Sequence, residues 1–263
     1  MNELINISRS RWFGVLEKLS LNMKLIRLIT VPMVLAVLWV GATPVAAAEE
    51  EGVAVAIIYD TSGSMDEPVN DETGKPAPKY RIANRALIAI ANRLQAFATN
   101  GSNGVPRKIQ AGLFTFQKGE AHVTLPLAPF NAGALKAWAN GFSSPNGNTP
   151  LGLTLRAAGN ALLHSGLTRK HVLIITDGMN TAGPGPATIL AKLQQDAGQQ
   201  QTAVSVHFVA FDVDANVFDG VKKLGATVVG AANENQLNTQ LGFILEKKIL
   251  LEDEEAPKPP KKP

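Results

Sequence analysis

The chain has 263 residues and no cysteine, which excludes disulfides, a thiolate metal site, a thiol nucleophile and a lipobox. Its formal net charge of +3 belongs wholly to residues 1–48, where Arg9, Arg11, Lys18, Lys24 and Arg27 stand against Glu3 and Glu17. The 20 basic and 20 acidic residues that remain balance, so the high isoelectric point is no argument for a nucleic-acid partner.

Lys24 and Arg27 precede an apolar stretch from Leu28 to Val40, and Ala46-Ala47-Ala48 supplies a small-residue processing site. That stretch is shorter than the ~20 apolar residues that cross a bilayer, and it contains Pro32. Residues 1–48 therefore read as a signal peptide, with Met23 an alternative start and Glu49 the expected first residue after cleavage. Retained, the segment would tether the protein to a membrane. About 215 residues follow, enough for one α/β domain with a sizeable core.

Val53–Tyr59 is an almost unbroken apolar run, as expected of a strand buried on both faces. Asp60-Thr61-Ser62-Gly63-Ser64 follows directly. Its alternating carboxylate and hydroxyls can turn three oxygens toward one point, which suits a hard divalent cation; the same residues also suit a strand-ending turn that bonds only nearby backbone. Asp66, Glu67, Asp71 and Glu72 lie in a Pro- and Gly-containing insertion that reads as a solvated loop. Gly74-Lys75-Pro76 lacks the flanking residues of a phosphate loop.

A helix is predicted over Tyr80–Ala98, with Ile82, Ala83, Ala86, Leu87, Ile90, Leu94 and Phe97 on one face and Arg81, Arg85 and Arg93 on the other. Ile109–Phe116 and Ala121–Leu127 read as a strand pair around Lys118-Gly119. Helices follow at Ala132–Trp138 and Leu151–His164. Trp138, Phe142 and the loop 143–147 flank the first motif, with Trp138 assigned to packing. Asn148-Thr149-Pro150-Leu151-Gly152 opens the longer helix, and Thr149 there is either its N-cap or a further oxygen donor. Val172–Thr176 is a second buried strand, ending in Asp177-Gly178; the Thr-, Gly- and Pro-rich residues after it rule out a hairpin. Ala187–Ala197 is helical, Val204–Phe211 a strand, Ala215–Leu224 helical, Thr227–Val229 a short strand and Glu234–Leu250 the last helix. The charged, Pro-rich residues 251–263 are expected to be a disordered tail.

This alternation predicts an α/β fold: a doubly wound, mostly parallel sheet with one antiparallel edge strand and helices on both faces, over residues 49–250. Ligands of such sheets sit outside the carboxyl ends of the strands, where Asp60 and Asp177 would share one rim. His122, His164, His171 and His207 show no metal-binding spacing and are assigned structural roles.

The order D-x-S-x-S, then a Thr, then an Asp resembles the metal-ion-dependent adhesion site (MIDAS) of von Willebrand factor A domains, here of a bacterial exported type. The resemblance implies that Asp60, Ser62, Ser64, Thr149 and Asp177 form the metal site, with Mg²⁺ (or Mn²⁺ or Ca²⁺) as the ion. It also implies a protein partner that completes the metal shell with an acidic side chain; in the family, movement of the last helix can accompany rearrangement of the metal loops, and a rigid receptor site is the alternative. The expected function is metal-dependent protein binding in the periplasm or outside the cell, without chemistry at the ion; an accessory role in assembling another exported complex is a variant. The rival expectation is a metal-assisted hydrolase, with His171 or Glu67 as general base.

Overall fold

The structure, a computed structural model, describes residues 49–101 and 104–251. The leader expected over 1–48 and the tail expected over 251–263 lie outside the described residues, Leu251 apart. Among the described residues, no helix is long and apolar enough to cross a membrane.

Every predicted strand is found, and the predicted helices are found apart from two differences given below, with ends moved by a few residues. The chain runs β1 (Glu50–Tyr59), a short hairpin of β2 (Pro68–Asn70) and β3 (Pro76–Pro78), α1 (Lys79–Asn100), β4 (Ile109–Gln117), β5 (Glu120–Pro129), α2 (Ala132–Gly141) and α3 (Leu151–Leu163). It continues with β6 (Leu167–Thr176), α4 (Pro186–Gln199), β7 (Val204–Phe211), α5 (Asp219–Lys222), β8 (Thr227–Ala231) and α6 (Glu234–Ile244). Six strands form one sheet in the order β5-β4-β1-β6-β7-β8. Only β5 is antiparallel to its neighbour, because the two-residue turn at Lys118-Gly119 returns the chain at once while all other connections cross over.

Period-two alternation divides the central strand between two cores. Val53, Val55, Ile57 and Tyr59 face one side with α1, α2 and α6, while Ala54, Ala56 and Ile58 face the other with α3 and α4. All seven residues of Val53–Tyr59 are inaccessible to solvent. A strand covered on both faces has nowhere to place a polar side chain until it ends, and Asp60 is where it ends. From β1 the chain moves outward to β4 and β5, then returns to lay β6, β7 and β8 on the opposite side. That reversal opens a crevice at the carboxyl ends of β1 and β6.

Three local differences from the sequence reading matter. The acidic insertion is solvated as expected at Asp66, Glu67 and Glu72, but its residues 68–78 form a short hairpin. Asp71 closes its tip by accepting from Thr73 N (2.8 Å), Thr73 Oγ1 (2.7 Å) and Lys75 N (3.0 Å). The predicted helix over Ala215–Leu224 is a 3₁₀ turn at Ala215–Phe218 followed by one α turn. The last helix becomes a π-helical turn over Leu245–Ile249.

Candidate metal centre

The two aspartates arrive on one rim because the strands that carry them are hydrogen-bonded neighbours. Tyr59 is in register with Ile175, and Asp60 N donates to Ile175 O at 3.0 Å. One step further along, Thr176 Oγ1 donates to Asp60 Oδ2 at 2.5 Å. Asp60 Oδ1 accepts from Ser62 N (2.8 Å) and from Ser62 Oγ (2.5 Å). The carboxylate is fully buried. Burial first, and the charge of Asp177 second, push its pKa up to about 6.

Ser64 Oγ donates to Asp177 Oδ1 at 2.9 Å. The oxygens of Ser62 and Ser64 lie 3.1 Å apart, within hydrogen-bond reach of one another. Thr149 comes to the same place. A β-carbon added at Gly178 would stand 3.9 Å from Thr149 Oγ1 and 4.0 Å from Ser64 Oγ. Thr149 does not cap the helix that follows: α3 begins at Leu151, and the residue before it, Pro150, supplies no side-chain cap bond. Instead Asn180 Oδ1 accepts from Gly152 N at 3.0 Å. Thr149 is held through its main chain: its N donates to Thr181 Oγ1 (2.8 Å) and its O accepts from Thr181 N (3.0 Å). Its hydroxyl is left for another task.

The surrounding loops are braced without using these oxygens. Thr61 Oγ1 both donates to Phe116 O and accepts from Phe116 N, each at 3.0 Å, which ties the end of β1 to the end of β4. Asn146 N donates to Thr61 O (2.8 Å) and Gly63 N to Gly147 O (3.2 Å). Gly152 is required by close approach, because a β-carbon there would lie 2.0 Å from Pro184 O.

The structure adds one side chain that sequence reasoning missed. Lys79, the first residue of α1, is buried, and its Nζ lies 3.1 Å from Asp177 Oδ2, 3.0 Å from Glu67 Oε2 and 3.2 Å from Asp212 Oδ2. Burial works against the ammonium, but the Glu67 and Asp177 carboxylates more than offset it and hold its pKa above the ordinary lysine range. A signal was present: a lysine directly before the first apolar residue of a helix stands where the helix dipole disfavours a cation.

The other expectations are sorted by position. His171 is in register with Val55, away from the rim, and its Nδ1 lies 3.2 Å from His207 Nε2. Trp138 stacks on Phe142 (centroids 5.0 Å apart), and both meet Tyr59 edge-on. These two aromatics also wall a recess of about 390 Å³ beside the metal loop, floored by Thr61, Thr115 and Thr124 and rimmed by Lys118 and His122. Trp138 thus packs and lines a surface at once.

The donor set fits a hard cation. Among the described residues no three His, Cys, Asp or Glu side chains gather into a ligand cluster; what gathers is two carboxylates and three hydroxyls, all oxygen, the chemistry of Mg²⁺ or Ca²⁺ sites rather than of soft-metal sites.

Residues 55–180 match the family model described as von Willebrand factor type A domain, and all five candidate metal residues fall within them. Among solved structures the chain is similar to the PilB minor pilin from Streptococcus sanguinis, at 17% identity over 74% of this chain and 60% of that one, with a TM-score of 0.55. It is similar to proximal thread matrix protein 1 from the mussel byssus with a zinc-occupied MIDAS motif, at 19% identity over 74% and 48% and a TM-score of 0.55. The vWF domain of the type V pili tip protein Mfa5 from Porphyromonas gingivalis matches at 13% identity over 74% and 94%, with a TM-score of 0.54. These likenesses establish a shared fold, and the chain spans 60% of the length of the minor pilin. No curated protein matches it in sequence.

Proposed function

From the von Willebrand factor type A domain that this chain carries, a fold known for metal-dependent protein interaction, we propose that the protein binds a divalent cation on the rim and uses it to hold a protein partner outside the cytoplasm. The observation that carries this reading is the pair of serine hydroxyls. Each donates to an aspartate, Ser62 to Asp60 and Ser64 to Asp177, and the two oxygens lie 3.1 Å apart. Ser62, Ser64 and Thr149 would hold Mg²⁺, Mn²⁺ or Ca²⁺ as neutral ligands. Asp60 and Asp177 would balance its charge and orient the hydroxyls and bound water.

A bound ion with few anionic ligands supplies an electrophilic point for a carboxylate of the partner. The recess beside Trp138 and Phe142 gives the flanking part of the partner a place to rest. Binding without catalysis is the better reading. His171 sits in the sheet interior against His207, and the Glu67 carboxylate is engaged by Lys79. Likeness to a minor pilin and to a pilus tip protein, together with the leader-like residues 1–48, supports export and a partner at the cell surface or in an exported assembly.

Titration calorimetry with MgCl₂ and MnCl₂ tests the site. The wild-type chain is expected to bind one ion, and Asp60→Ala to bind none while its circular dichroism is unchanged. Equal affinity in Asp60→Ala would sink the assignment.

A further inference from the structure

Lys79 is in the wrong place by every local rule. It opens a helix of 22 residues, where the exposed N–H groups favour an anion. Its side chain is 3% exposed, and an ammonium taken out of water costs several kcal/mol unless it is well paired. The residues before it do not require a lysine: the preceding Pro78 sets the chain direction, and the apolar face of the helix begins with Tyr80 and Ile82.

Three carboxylates offset that cost, and they come from three separate rim loops. Glu67 follows β1, Asp177 follows β6 and Asp212 follows β7. Asp212 reaches the ammonium with a φ of 54°, a left-handed conformation that a non-glycine residue adopts at some cost. Glu67 and Asp212 lie outside the metal set, and they alone would anchor the lysine. The third partner is different. Asp177 gives Oδ2 to Lys79 and Oδ1 to the Ser64 hydroxyl, so both oxygens of one metal-set carboxylate are occupied.

We propose that Lys79 is a resident counter-ion of the metal centre, one that competes with the divalent cation for Asp177 and sets its affinity low. The inference rests on the cation-binding reading above. With Lys79 in place, the two buried aspartates bring two negative charges and the buried ammonium opposes one, while Glu67 and Asp212, 66% and 38% exposed, are screened by solvent. A divalent ion among Ser62, Ser64 and Thr149 then has a positive charge just across Asp177. Repulsion between charges a few ångströms apart remains substantial even at an effective dielectric constant of about 20. Glu67 and Asp212 give the ammonium an alternative hold when the ion arrives. A centre tuned this way holds its ion loosely until a partner's carboxylate adds the missing negative charge.

The test is calorimetric titration of the full chain with MgCl₂ and MnCl₂, using wild type, Lys79→Met, Glu67→Gln and the double variant. Lys79→Met is expected to bind at least about tenfold more tightly. Glu67→Gln, which removes one hold on the ammonium and leaves it to Asp177 and Asp212, is expected to bind more weakly. That loss is expected to vanish in the Lys79→Met background, since the effect runs through the lysine. Equal affinities in wild type and Lys79→Met overturn the proposal and leave the cation site standing. Absence of binding in both overturns the cation site itself, and the proposal with it. If Lys79→Met does not fold, Glu67→Gln decides alone: its carboxylate is 66% exposed, and unchanged affinity there overturns the proposal.

Discussion

Two of the places where this sheet buries polar side chains do so on opposite terms. At the rim, Asp60, Ser62, Ser64, Asp177 and Lys79 bond to one another. In the sheet interior, on the face that packs against α1 and α6, His171 and His207 meet across neighbouring strands with ring centroids 5.5 Å apart. His207 Nδ1 is there the one buried side-chain nitrogen or oxygen among the described residues without a hydrogen-bond partner. The rim has more acceptors than donors and one charge to spare, so a cation improves it. The histidine pair has one nitrogen too many for its surroundings, so any added charge harms it. Burial alone therefore says little about function. The balance of donors, acceptors and charge distinguishes a cluster suited to a cation from a compromise within a core.

The strongest way to break this contrast is Asp177→Ala. It removes the buried partner of a buried ammonium and leaves Lys79 with two more exposed carboxylates. Breaking a buried pair costs about 3–5 kcal/mol. The lower end, about 3 kcal/mol, is expected here because Glu67 and Asp212 remain. Urea unfolding measures this loss, and calorimetry should show that cation binding disappears with it. A variant as stable as wild type would mean that the rim cluster is not mutually dependent.

The histidine pair can be tested by acid. Burial first, then the neighbouring His207 and Arg169, lower His171 to about 3; burial and Lys248 lower His207 to about 4. Both imidazoles are therefore neutral when folded, and the unfolded chain takes up protons first, near the ordinary value of about 6.5. Stability from this source is complete above that value and declines as pH falls toward the folded pKa values. Between about pH 7.5 and 5 each imidazole contributes a loss on the order of 2 kcal/mol. Replacing both by leucine should flatten that part of the pH–stability curve relative to wild type, measured by urea unfolding across the same range. A curve of unchanged slope would place a proton-accepting partner near the pair and dissolve the contrast with the rim.

The two regions were unequally legible from sequence. Asp60, Ser62, Ser64, Thr149 and Asp177 could be read because each sits at the end of an apolar run or the start of a helical one, and strand ends of a doubly wound sheet share a rim. The fold was readable for the same reason: continuous apolar strands alternating with 3.6-period helices admit few arrangements. Lys79 was hidden because its three partners lie 12, 98 and 133 positions away in sequence, and only the sheet order brings them together. The hairpin at 68–78 was hidden by its three prolines, which read as loop; an isolated two-stranded ribbon outside the main sheet tolerates them. The meeting of His171 and His207 depends on strand register, which no local pattern specifies.

Glu234 tests the middle ground between the two regions. It is nearly as buried as Asp60, yet it takes two bonds from Arg85, at 2.7 and 2.6 Å, and one from Glu72 N at 3.0 Å. The Arg85 side chain is 48% exposed, so the pair keeps much of its hydration and is worth less than a buried one. Glu234→Gln is expected to cost about 1 kcal/mol, read by thermal unfolding, with faster hydrogen exchange over residues 68–78. A cost as large as that of Asp177→Ala would show that exposure of one partner is irrelevant here.

The smallest expected effect concerns the last helix, where the same residue is the link. Asp177, Lys79 and Glu67 lead from the rim to the base of the hairpin, and Glu72 and Glu234 lead from its tip to the first turn of α6. The rest of that helix is held differently: Leu237, Leu241 and Ile244 are packed in the core, and Arg93 lies over Gly242, with Nη1 2.7 Å from where a β-carbon would be. A cation that draws Asp177 away from Lys79 can thus reach the first turn through charged contacts, while core packing fixes the body. Hydrogen-exchange mass spectrometry with and without Mg²⁺ is expected to show a small change confined to about residues 234–238, and none over 239–250. A change along the whole helix would mean that it moves as one body with the metal loops, because a ligand shifts only what differs in free energy between two states.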